Sequence, residues 1–85
     1  MSTPTEKARR AILTFCRETK LAAGSKLLSF QVQQVVLRLD PPERAALNQT
    51  IKQMVDEGLF VPVRGELGVD LELTKSGSAV VYSEQ

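Results

Sequence analysis

Catalysis would have to rest on Cys16, on lysines or on carboxylates, two pairs of which stand close in sequence: Asp56 beside Glu57, and Asp70 two positions before Glu72. Paired carboxylates perform general acid–base work when their surroundings push their pKa values apart. The pattern offers neither pair such surroundings. Asp56 and Glu57 fall at a helix end, where solvation is the default, and the pleat of a strand sends Asp70 and Glu72 outward together. The chain has no histidine, a single cysteine, Cys16, and no glycine-rich phosphate loop. No disulfide within the chain and no ordinary zinc site can be assembled from that set, and nothing pairs Cys16, the carboxylates or the lysines at a useful spacing. The expectation is a protein that is not an enzyme, with no catalytic residues, no metal and no cofactor.

Non-covalent recognition is better represented. Asp40-Pro41-Pro42-Glu43 places a side-chain acceptor at an N-cap, proline at N1 and an acid in the first turn, and Gly58 supplies the left-handed residue that ends a helix. The spacing predicts a helix over 41–57 with Leu47, Ile51, Met54 and Val55 buried. Its opposite face carries Ala45, Gln49, Lys52, Gln53 and Asp56, with Asn48 on the flank. Such a polar face has either solvation or a partner as its explanation.

The elements around it follow from the same patterning. Thr3-Pro4-Thr5-Glu6 has the form of a capping box and opens a helix reaching about Lys20, with Ala8, Ala11, Ile12, Phe15 and Cys16 on its apolar face. Cys16 there is a small apolar filler. Gly24-Ser25 breaks the pattern, Lys26-Leu27-Leu28 is a candidate short extended piece, and Ser29 is the expected cap of a helix from Phe30 to about Leu39. That helix is expected to bury Phe30, Val32, Val35, Val36 and Leu39 and to show Gln31, Gln33, Gln34 and Arg38 to solvent. A hairpin follows: Leu59 to Arg64, a turn at Gly65-Glu66-Leu67-Gly68, then Val69 to Leu73. Strict alternation puts Val69, Leu71 and Leu73 inward and Asp70 and Glu72 outward. Pro62 marks its strand as an edge. Phe60 either points outward, if Leu59, Val61 and Val63 face the core, or folds over the core edge. Thr74 caps a last short helix through Tyr82, with Ala79, Val80 and Tyr82 against the first helix.

At 85 residues, 42% hydrophobic and 25% charged, the chain is expected to form one domain over 1–85, with 1–4 and 83–85 frayed. The net charge of +1 conceals an asymmetry: residues 1–28 carry six basic side chains against two acidic ones, and residues 29–85 carry five against eight. No apolar run is long enough to span a bilayer and no signal-peptide core is evident, so a cytoplasmic location without membrane contact is expected. Small size makes a homodimer a further expectation.

The order helix, short strand, helix, helix, hairpin resembles the winged helix-turn-helix superfamily. Leu47 to Phe60, closing on Asp56-Glu57-Gly58-Leu59, is similar to that superfamily's recognition helix stepping into its wing. Leu73-Thr74-Lys75-Ser76-Gly77 is similar to the segment that follows the wing in small bacterial transcription regulators. The resemblance implies an α+β winged helix: a three-helix helix-turn-helix core, a two-stranded β-hairpin wing and a short C-terminal helix. It implies a DNA-binding regulator whose partner is double-stranded DNA, with the 41–57 helix in the major groove. Carried onto this chain, Asn48, Gln49, Lys52 and Gln53 become candidate base or phosphate contacts. Arg44 is a candidate phosphate contact from the first turn, Arg38 one from the preceding helix and Arg64 one from the wing. The competing reading is a protein partner docked on the acidic wing, through Phe60, Asp70 and Glu72.

Overall fold

The computed structural model describes residues 3–66 and 68–83, and Met1, Ser2, Leu67, Glu84 and Gln85 lie outside them. The chain is an α+β domain of four helices and a three-stranded antiparallel sheet, in the order α1 (Pro4–Glu18), β1 (Lys26–Leu27), α2 (Ser29–Leu37), α3 (Pro41–Asp56), β2 (Phe60–Arg64), β3 (Val69–Leu73) and α4 (Lys75–Ser83). Of the ends expected to fray, Thr3 caps α1, Pro4 begins it and Ser83 closes α4; the rest lie outside the described residues.

α1 is the helix against which the other three helices pack, α3 most extensively. Thr3 Oγ1 accepts from the Glu6 amide at 3.1 Å, and Ala8, Ile12, Leu13, Phe15 and Cys16 are buried. α1 and α3 end in the same way. Lys20 and Gly58 both take a left-handed backbone, with φ of 55° and 81°. The next amide reaches back across each: Leu21 N to the Cys16 carbonyl and Leu59 N to the Met54 carbonyl, both at 2.9 Å. This closure satisfies carbonyls that the helix leaves open and drives the following leucine, Leu21 or Leu59, into the core. Glycine does this without strain at 58, whereas at 20 a lysine carries it.

In the sheet β3 is central, between β1 and the edge strand β2. Lys26 lies opposite Glu72, and Phe60 lies opposite Leu73. Phe60 is 1% exposed and Val61 46%, so of the two expectations for Phe60 the core position holds, and Val61 is the residue turned to solvent. β3 departs from its simple alternation. Val69, expected inward, is 57% exposed, and Asp70, expected outward, is only 9% exposed. The cause is a tertiary contact: Asp70 Oδ1 accepts from the Ser29 amide at 2.9 Å, at the first turn of α2.

α2 also differs from its expected form. It starts at Ser29 instead of Phe30, and the Gln31 side chain, expected in solvent, accepts from the Leu28 amide at 2.9 Å. Val35 and Leu39 are buried and Val32 and Val36 pack beside them, but Phe30, expected in the core, is 50% exposed. α4 is anchored by Thr74, whose hydroxyl donates to the Gly58 carbonyl at 2.6 Å and accepts from the Gly77 amide at 2.9 Å. Val81 is its fully buried contact, and Ala79, expected against α1, is exposed. Gly77 lies so close to the Leu59 carbonyl that a Cβ would collide with it. The half-exposed Tyr82 donates its hydroxyl to the Leu21 carbonyl at 2.6 Å.

Candidate nucleic-acid interface

α3 owes its direction to its first turn. Pro41 and Pro42 begin it, and the Glu43 carboxylate accepts from the Asp40 amide at 3.3 Å. Leu47, Thr50 and Met54 are buried on α1's side. Thr50 reaches that position by returning its hydroxyl to the Ala46 carbonyl at 2.8 Å, which removes the cost of an unpaired buried hydroxyl. With that side fixed, the helix period turns Ala45, Asn48, Gln49, Lys52, Gln53 and Asp56 outward together, and all six are exposed. Among the described residues, Asn48, Gln49, Lys52 and Gln53 have no side-chain hydrogen bond or ion pair within the protein. Three carboxamides and one ammonium are thus free to meet an external partner.

Two of the three arginines assigned to the same interface bond within the protein. Arg44 donates from Nε to the Leu39 carbonyl at 2.8 Å and to that of Val36 at 3.1 Å. It closes the C-terminal end of α2, where carbonyls lack helical partners and a cation opposes the helix dipole. Arg38 pairs with Glu18 at 2.7 Å and lies 5.2 Å over the Phe15 ring. Both are committed to holding α2 in place. Arg64, at the end of β2, is exposed.

The acidic alternative loses two of its three residues as a surface. Phe60 is core, and Asp70 is bonded to α2; Glu72 remains, half-buried and in register with Lys26. The charge asymmetry between the two parts of the chain is also taken up internally. Lys7 meets Glu43 at 3.9 Å and Arg9 meets Glu57 at 2.8 Å, so cations of α1 face the acids at the two ends of α3. These pairs leave less opposite charge for head-to-tail association than the sequence implies.

Among the described residues no group of three or more His, Cys, Asp or Glu is placed to hold a metal ion, and no helix is long and apolar enough to cross a membrane. Cys16 is buried in the core, and that burial pushes its thiol up to about 11 from 9.0. No protein-family description, curated protein or solved structure matches the chain.

The outer side of α2 was not legible as a surface in the pattern. Leu37, which follows the buried valines, is 77% exposed, and Phe30 stands out at the other end of the helix. Phe30 and Leu37 are seven positions apart, a spacing that would have placed them on one face.

Proposed function

We propose that this chain is a winged helix-turn-helix domain that binds double-stranded DNA, with α3 in the major groove, as a small transcription regulator. The fold reading is supported by the element order and by β1, which pairs with the inner strand of the β2–β3 hairpin. The observation that carries the function is the α3 face. Its Asn48, Gln49, Lys52 and Gln53 side chains are exposed together and uncommitted, while Arg38 and Arg44 are used within the protein. Carboxamides can pair bidentately with adenine, and an ammonium meets guanine or phosphate. Arg64 is the hairpin's phosphate contact in this reading. Arg38 and Arg44 become positioning residues, Arg38 holding the end of α2 to α1 and Arg44 holding it to α3.

Fluorescence anisotropy of a labelled duplex tests the proposal. Two phosphate contacts, from Lys52 and Arg64, give roughly tenfold weaker binding between about 50 and 200 mM salt. Lys52→Glu lowers affinity at least about tenfold, since it replaces an attraction with a repulsion at the groove. Glu66→Ala, at the exposed hairpin turn, leaves affinity unchanged or raised. No binding at the lower salt, or a Lys52→Glu protein that binds like its parent, overturns the assignment.

A further inference from the structure

The side of α2 facing away from the core presents Phe30, Gln33, Gln34 and Leu37, all exposed, and the spacing of three, four and seven places them along one helix face. The apolar residues stand at the two ends, about 10 Å apart along the axis. The two glutamines lie midway. Between Ser29 and Leu37 the helix has no charged residue. Leu28, also exposed, extends the apolar end at Phe30.

We infer that this face is the contact between two copies of the chain, with α2 packed antiparallel to α2 about a two-fold axis that passes between Gln33 and Gln34. The face is self-matching under that operation and requires no other surface. Phe30 of each copy meets Leu37 of the other, and the glutamines meet at the axis, where each carboxamide offers both a donor and an acceptor. The four side chains of the face carry no charge, and the carboxylates nearest to it, Glu66 and Asp70, line the groove at its edge. A groove of about 220 Å³ beside Phe30, lined by Leu28, Ser29, Phe30, Glu66 and Asp70, gives Leu37 of the second copy a place to enter. The ends of α2 also differ in sign: Glu66 lies beside Phe30, and Arg38 follows Leu37. Antiparallel packing brings the unlike ends together, a modest bias because Arg38 also serves Glu18. The same lack of cations separates this face from a phosphate-binding one.

Its strength is limited by its size. A stable two-fold interface covers about 800 Å² and roughly 20–30 residues of each copy, more than the nine residues of α2 with Leu28 supply. The dimer is therefore weak in free solution and gains when two copies are held close together.

Sedimentation velocity on the full chain without DNA, from about 5 μM to about 1 mM, separates this proposal from DNA binding. The weight-average mass is expected to rise from monomer towards dimer across that range. Leu37→Glu, a change at a side chain 77% exposed and outside the core, weakens self-association at least about tenfold. Gln34→Cys is expected to form a disulfide-linked dimer on mild oxidation, and Gln53→Cys on α3 is not. A parent chain that stays monomeric at the highest concentration overturns the inference and leaves the face to a different protein. Association unchanged in Leu37→Glu, or cross-linking of Gln34→Cys no faster than that of Gln53→Cys, overturns it as well.

Discussion

The Asp70 carboxylate accepts a hydrogen bond from the Ser29 backbone amide at 2.9 Å and so joins the hairpin to the first turn of α2, across 41 positions of sequence. Neither Leu28 nor Ser29 supplies a side-chain cap to that turn. The acceptor comes instead from a strand, and the negative charge meets the positive end of the helix dipole. Asp70→Ala is expected to lower stability by about 1–2 kcal/mol, the usual cost of losing a cap. Asp70→Asn, which keeps an acceptor oxygen, loses less. Urea unfolding of both variants checks the order, and equal losses would show that the hydrogen bond is not the cause.

Lys20 carries out with strain what Gly58 does freely. Both occupy the left-handed position after a helix, and both precede a leucine that enters the core. Lys20→Gly is expected to raise stability by up to about 1 kcal/mol, with relief of backbone strain partly offset by a more flexible unfolded chain. Gly58→Ala shifts it the other way by about 1 kcal/mol, although nothing stands near its Cβ position. Thermal unfolding of the pair measures both signs, and a Lys20→Gly protein that melts lower would refute the account.

Arg44 and Lys52 lie on the same helix but differ in their partners: Arg44 bonds to the end of α2, and Lys52 has none among the described residues. Removing the Arg44 bonds to the Leu39 and Val36 carbonyls is expected to cost about 1 kcal/mol of stability, with DNA affinity reduced only as far as α2 loosens. Lys52, exposed and unpaired, is expected to behave oppositely, with affinity lost and stability unchanged. Chemical denaturation and anisotropy on Arg44→Ala and Lys52→Ala separate the two roles.

Cys16 is expected to be inert in the folded protein. Its thiol, pushed up to about 11 by burial, stays protonated where the same group in the unfolded chain has begun to ionise above 9.0. Its folded pKa is the higher one, so its contribution to stability is intact below about pH 9 and is lost as pH rises towards 11. Alkylation at neutral pH should therefore follow the small population of opened chain, and full reactivity should appear only in denaturant. Rapid stoichiometric labelling of native protein would contradict the buried placement.

Wherever neighbouring residues were enough to define an element, the chain could be read directly. Asp40-Pro41-Pro42 and Gly58 delimit α3 because a proline-bearing first turn and a left-handed stop act within a few residues, and the 3.6-residue period then settles which side of α3 is polar. The Asn48, Gln49, Lys52 and Gln53 face was legible for that reason, and so were Thr3 and Cys16 in α1. What required the assembled fold was every choice that depends on a distant backbone. Phe60 lies inside because the Gly58 closure buries Leu59 and β3 sets Leu73 opposite Phe60. Asp70 is enclosed because a helix amide 41 positions away comes within reach. Arg38 and Arg44 bond within the protein because Glu18, Phe15 and the last carbonyls of α2 come within their reach. A residue's type and period specify which face of its own element it occupies; what that face meets depends on how the elements pack.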